Sequence, residues 1–249
     1  MTPEDAVSLI EHRRGTWIAF KADVSLRFST PAAAQASCRG HLLYKRLDEK
    51  ILLECFDSAA KSLFIFKTED KNFQLYLPAQ KSIFSGTLFD LEDSPDIESH
   101  LKPLDLYRAL KPASLSTSEI ILRHQEKNLT ELKVRSTGMA HVTVRRLIVT
   151  KDGDVINEAY YNSKGKIILK IVRALFKKEN NGREKVSFPR QIKIISYRKK
   201  SLAPGWDKTG IIFKNISFLP DITDQEFELL LPEDIRKISI ESDLMKEQA

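Results

Sequence analysis

The groups in this chain that could take part in chemistry are few and scattered. His12, His41, His100, His124 and His141 form no i, i+4 pair and sit beside no cysteine, so the spacing a zinc site needs is missing. Each is expected as a surface or hydrogen-bonded histidine, with no metal and no cofactor. Cys38 and Cys55 fall on the same face of neighbouring strands, but the register read from the sequence offsets them by four residues, about 13 Å at the rise of a strand. That is farther than a disulfide spans, so they are expected as buried free thiols. No Gly-rich phosphate loop, nucleophile elbow or Ser/His/Asp order stands out; no catalytic residue is assigned and a non-enzymatic protein is expected.

Positive charge and apolar burial remain. The chain carries a net charge of +6, and from Tyr161 to Lys200 it places 13 Lys and Arg against only Glu179 and Glu184, so the rest is acidic. Lys166 and Lys170 alternate with Ile167, Leu169 and Ile171, the pattern of the solvated face of a sheet. Such a face suits weak, salt-sensitive attraction to an anionic membrane surface. Nucleic acid is not expected as a partner, because aromatic residues are not interleaved for base stacking on the basic face.

The apolar chemistry is carried by the stretch Gln35 to Gly86. Apolar residues alternate there in successive short runs: Ala36, Cys38, Gly40, Leu42 and Tyr44, then Ile51, Leu53 and Cys55, then Phe64 and Phe66, then Phe73, Leu75 and Leu77. Alternation with polar turns between the runs predicts antiparallel strands with one buried face. A turn centred between Asp48 and Glu49 puts Leu42 opposite Cys55 and Tyr44 opposite Leu53; a tight Asp70-Lys71 turn puts Phe66 opposite Leu75. Tyr76 falls on the other side from Leu75, the one misfit. The sequence before this stretch predicts a helix over Pro3 to Arg14, capped by Thr2, and a strand from Trp17 to Phe28 that adds Phe20, Val24 and Leu26 to the same face.

Later elements are a short helix over Pro103 to Leu110, a hairpin from His141 to Tyr161 turning at Lys151-Asp152-Gly153-Asp154, a strand from Lys166 to Phe176, and a polar loop over Lys177 to Lys185. Strands from Phe188 to Arg198 and from Lys208 to Leu219 close the series. Between Ala113 and Gly138, Glu119 to His124 and Leu129 to Arg135 read either as a hairpin or as a helical excursion. No linker or repeat divides the 249 residues, so a single domain over 1–249 is expected. No apolar run is long enough to span a bilayer. A sheet of about ten strands is too long to stay flat and would curl.

Two motifs carry a family resemblance. The run Gly40-His-Leu-Leu-Tyr-Lys-Arg46, followed by Asp70-Lys-Asn-Phe-Gln-Leu-Tyr-Leu-Pro78 and Phe84-Ser-Gly86, resembles the LolA/LolB family of periplasmic lipoprotein carriers. The closing run Leu219-Pro-Asp-Ile-Thr-Asp-Gln-Glu-Phe227, with Leu230-Leu-Pro232, is similar to the end of that family. Here Leu47-Asp48 stands where the family has Pro-Asn.

The resemblance implies an α+β fold: a curved antiparallel β-sheet forming a half-barrel, with helices covering the concave face. It implies a monomer that binds the acyl chains of a lipid or lipoprotein without catalysis, in a cavity lined by Phe20, Val24, Leu26, Leu42, Tyr44, Leu53, Phe64, Phe66 and Leu75. Arg46 stands at the position of an arginine that holds the helical lid. It also implies a periplasmic location, or an outer-membrane anchor whose signal and lipid-bearing Cys lie outside this sequence. The alternative within the same fold is an envelope sensor of the RseB type, acting through protein contacts. The turn Asp57-Ser-Ala-Ala-Lys-Ser62 is small and polar, which weakens a receptor role that inserts a turn into a membrane.

Overall fold

The structure is a computed structural model that describes residues 2–30, 33–88, 90, 103–110, 115, 120–126, 128–135, 144–198 and 205–240. His100, His141 and the start of the strand expected from His141 lie outside the described residues. The elements are α1 (Pro3–Gly15), β1 (Ala19–Thr30), β2 (Ala33–Lys45), β3 (Lys50–Phe56), β4 (Ser62–Glu69), β5 (Asn72–Leu77), β6 (Ser82–Thr87) and α2 (Pro103–Leu110), then β7 (Ile120–Glu126), β8 (Leu129–Arg135), β9 (Val144–Thr150), β10 (Val155–Tyr161), β11 (Ile167–Asn180), β12 (Lys185–Arg198), β13 (Gly205–Leu219) and β14 (Arg236–Ser239).

That makes fourteen strands among the described residues, against about ten expected. Ile120–Glu126 and Leu129–Arg135, in the stretch the sequence left open between helix and hairpin, form the antiparallel pair β7 and β8. The short β14 pairs in parallel with β6. The segment expected as a loop over Lys177 to Lys185 is mostly strand: β11 and β12 stay paired down to Asn180 opposite Lys185. The turn is confined to 181–184, where Asn181 Oδ1 accepts from the backbone N–H groups of Arg183 and Glu184. Polar side chains there mark exposure, not the end of pairing.

The chain divides into two compact units. Unit 1 (1–17, 29–35, 112–212) holds the open strand order β13-β12-β11-β10-β9-β8-β7, and unit 2 (18–28, 36–111, 213–249) the order β14-β6-β5-β4-β3-β2-β1-β13, with β13 contributing residues to both.

In unit 1, α1 starts at a full capping box: Thr2 Oγ1 accepts from Asp5 N–H at 3.1 Å and Asp5 Oδ2 accepts from Thr2 N–H at 2.6 Å, which satisfies two otherwise orphaned donors. The helix buries Ala6, Val7 and Ile10 against Leu132, Val134, Leu147 and Val149 of β8 and β9, the i, i+1, i+4 stripe that the sequence predicts. Arg13 Nε donates to Asp152 O at 2.9 Å. At the same turn Gly153 has φ +86°, and a Cβ there would meet Leu9 at 2.9 Å. Glycine is required both by the backbone conformation and by the approach of the helix.

In unit 2, the turn between β2 and β3 corrects the expected register. Residues 46–49 form a four-residue loop in which Glu49 takes a left-handed conformation, φ 50°, so Lys45 faces Lys50 and Leu42 faces Leu53. Leu42 therefore does not face Cys55, nor Tyr44 Leu53; each partner moves by two, and Gly40 lies opposite Cys55. Parity is unchanged, so the same side chains still share a face. The shift brings Cys38 within one diagonal step of Cys55, and the two form a disulfide with a Cα–Cα distance of 5.9 Å. The expectation of free thiols is thus overturned by the placement of a single turn. Gly40 makes the approach possible, since a Cβ on it would lie 2.2 Å from Glu54 O.

Candidate functional site

The Asp70-Lys71 turn behaves as expected. Phe66 pairs with Leu75 and Ile65 with Tyr76, and Tyr76 is buried on the face opposite to Leu75. Combining the registers gives one apolar row across five strands: Leu42, Leu53, Phe66, Leu75 and Phe84. A second row runs Tyr44, Ile51, Thr68, Phe73 and Gly86, and Cys55 pairs with Phe64 beside the disulfide. β1 adds Phe20, Val24 and Leu26, all buried. Phe20 stacks on Tyr44 with ring centroids 5.2 Å apart and meets Phe213 edge-on at 6.4 Å, while Phe28 meets Phe64 at 6.5 Å. The nine side chains that the sequence nominated as cavity-lining are all buried, and those of β2 to β5 share one face by register.

Short helix α2 also belongs to unit 2 and is buried on nearly every side. Leu106, Ala109 and Leu110 are buried, and so are Asp105 and Arg108, which pair one turn apart at 3.7 Å. Tyr107 Oη donates to Glu49 Oε2 at 2.6 Å, which ties the helix to the turn that follows Arg46. Burial, then this bond to a carboxylate, raise the Tyr107 hydroxyl well above the ordinary phenol value. Tyr107 is therefore a neutral donor at any physiological pH. Arg46, at the end of the same face, has its Nε buried with no hydrogen-bond partner among the described residues, and its backbone N–H donates to Ile18 O at 2.8 Å.

The other face of β1 to β3 is covered by the closing segment 219–228. Ala19, Ile222 and Phe227 form a small core with Leu43, Leu52 and Leu219. Around it, Lys45 Nζ lies 3.0 Å from Asp48 and 3.1 Å from Asp221, Lys50 Nζ lies 2.9 Å from both Glu69 and Asp224, and Lys21 pairs with Glu226. Register places Lys45 and Lys50 directly opposite each other, a like-charge pair that would be destabilising alone. The carboxylates neutralise it. Asp48 and then Asp221 hold the Lys45 ammonium above its ordinary range, Glu69 and then Asp224 raise Lys50, and the lysines hold Asp221, Asp224 and Glu69 below the usual carboxylate range. The Lys-Arg and Leu-Pro-Asp motifs were legible separately. That they meet was not, because nothing in the spacing of distant segments pairs them.

The basic residues nominated in unit 1 lie at a different place. Lys166 is exposed just before β11, and Lys170 is half-buried on the side of β11 opposite Leu169 and Ile171. Among the described residues no group of His, Cys, Asp or Glu is arranged to hold a metal ion.

No protein-family model matches the chain, and no curated protein does. Its fold, a mostly antiparallel sheet with few helices, is shared with several solved structures. A solved domain described as an outer membrane lipoprotein-sorting protein, from Vibrio parahaemolyticus, is similar over 91% of this chain and 97% of its own length, with a TM-score of 0.64 and 12% identity. A LolA superfamily protein from Nitrosomonas europaea is similar over 92% of this chain and 98% of its own, with a TM-score of 0.60 and 12% identity. A DUF1329 family protein from Desulfovibrio piger covers 90% and 96%, with a TM-score of 0.64 and 14% identity.

Proposed function

We propose that this protein binds the acyl chains of a lipid or lipoprotein on the apolar face of unit 2 and carries or receives them in the cell envelope. The observation that carries this reading is the apolar composition of the face. A row of five large apolar side chains needs no catalytic group to take up an acyl chain, and each buried methylene contributes about 0.8 kcal/mol. The eight-residue α2 brings with it a buried Asp105–Arg108 pair. A buried ion pair is weak evidence for stability, so α2, tied to the Glu49 turn, is proposed as a cover that a ligand can displace more readily than apolar packing. The Tyr107–Glu49 bond holds it in place when no ligand is present, and Arg46 beside that turn is the group that would contact the displaced cover.

The Cys38–Cys55 disulfide supports an oxidising compartment such as the periplasm. The two compact units are proposed to fold as one domain, since each is assembled from three separate segments of chain and neither can be cut out as a continuous piece.

The test is mass spectrometry of the organic extract of protein purified without detergent. The reading predicts fatty acyl species in stoichiometric amount, lost or depleted in a folded Leu53→Asp variant. An extract free of acyl chains, together with no uptake of an apolar fluorescent probe by the purified protein, contradicts it.

A further inference from the structure

The face of unit 1 that carries Lys170 holds a second kind of chemistry. Tyr197 on β12 pairs across the ladder with Trp206 on β13. Both are large aromatic residues left exposed, at 43% and 41%, and their rings meet edge to face with centroids 5.3 Å apart. Successive residues on that side follow from the registers. Lys208 faces Ile195, Ile195 faces Lys170, Lys170 faces Ala159, Ala159 faces Arg146 and Arg146 faces Lys133. Lys193, two residues from Ile195 on the same side, is exposed, as is Lys208. Glu131 on β8 and Glu126 on β7 are acidic residues of this side, far from the aromatic pair, and Glu131 pairs with Arg146 at 2.6 Å. Lys170, Lys193 and Lys208 therefore stand on the same side of the sheet as the exposed Trp206–Tyr197 pair, on β11, β12 and β13.

We propose that this face of unit 1 is a docking surface for an anionic lipid bilayer, with Trp206 and Tyr197 seated at the headgroup level and Lys170, Lys193 and Lys208 on anionic headgroups. Charge complementarity selects the occupant: lysines near a surface of anionic lipids are attracted within a Debye length, and rings with one apolar body and one polar edge are suited to the membrane–water interface. The inference does not rest on the acyl-binding reading, since it uses other residues in the other unit.

Vesicle flotation with equal parts phosphatidylglycerol and phosphatidylcholine tests it. The protein is expected to float at low salt, to lose about tenfold in partitioning at high salt, and to stay in solution with pure phosphatidylcholine. A folded Tyr197→Ser/Trp206→Ser variant and a folded Lys170→Gln/Lys193→Gln/Lys208→Gln variant are each expected to float about tenfold less. In a Trp17→Phe background Trp206 is the sole tryptophan, and its emission is expected to shift to the blue on vesicles and to be quenched by brominated lipid. No flotation at low salt, equal flotation on neutral vesicles, or wild-type flotation of the aromatic variant overturns the proposal. So does vesicle binding with unchanged Trp206 emission, the result expected if lipid only enters the face in unit 2.

Discussion

The buried faces of the two units obey the same alternation but are filled differently. In unit 2 the row Leu42, Leu53, Phe66, Leu75, Phe84 is apolar from end to end. The matching row in unit 1 runs Leu132, Leu147, Glu158, Ile171, Ile194, Thr209, with a carboxylate at its centre that is 1% exposed. Neighbours on the same face satisfy it: Tyr160 Oη donates to Glu158 Oε1 at 2.8 Å, Arg173 Nη1 donates to Oε2 at 3.1 Å, and Arg145 Nε lies 3.6 Å away. A row that is apolar throughout can exchange one apolar occupant for another. A face cross-linked through a buried charge is committed to one arrangement, because any rearrangement strands an ion. The difference is why the acyl site is proposed in unit 2.

The sharpest way to break the comparison is to remove the carboxylate. Glu158→Ala leaves two guanidinium groups on a buried face and is expected to cost about 4 kcal/mol in urea unfolding. Replacing Glu158, Arg145 and Arg173 together by apolar residues is expected to recover most of that loss. A cost below about 1 kcal/mol for Glu158→Ala would remove the distinction between the faces. Leu53→Ala, the apolar counterpart, is expected to cost about 3 kcal/mol and, unlike Glu158→Ala, to change the affinity of an apolar fluorescent probe.

Breaking the disulfide in unit 2, which closes a sequence separation of 17, is expected to lower stability by about 3 kcal/mol. Unfolding with and without reductant, and in Cys38→Ser/Cys55→Ser, should agree; unchanged midpoints would contradict it.

How much of this was legible follows from particular residues. Leu42, Leu53, Phe66 and Leu75 could be placed on one face because large apolar residues separated by polar ones signal parity, and parity survives an error in the turn. The disulfide was missed because it depends on register, which one left-handed residue, Glu49, resets. Glu158 was missed for another reason: in Val-Ile-Asn-Glu-Ala-Tyr-Tyr, a charged residue reads as solvated, and its partners Arg145 and Arg173 lie on other strands. The Tyr107–Glu49 bond joins segments 58 residues apart, and no local pattern marks it.

Smaller effects come from the closing segment on the other face of unit 2. Asp221, Asp224 and Glu69 have carboxyl groups held below their ordinary range in the folded protein. Their contribution is fully present above the unfolded carboxylate values and is lost as pH falls through the lower, folded ones. These groups are exposed and screened by solvent, so the expected result is a modest fall in Tm on acidification below the ordinary carboxylate range, reduced in Lys45→Met/Lys50→Met. Equal acid sensitivity in wild type and variant would show that the segment is held by Ile222 and Phe227 alone. Smaller still, Tyr107→Phe should leave stability within about 1 kcal/mol while speeding the exchange of an apolar probe, and Arg46→Leu should alter that exchange in a folded protein.

The most direct test of the central claim is photo-crosslinking with a diazirine-bearing fatty acid, followed by peptide mapping. An acyl site on the apolar face of unit 2 predicts adducts on peptides from β3 to β5, around Leu53, Phe66 and Leu75, with labelling competed by unmodified fatty acid. Competable adducts confined to β9 to β12 of unit 1, or none that compete, would contradict it.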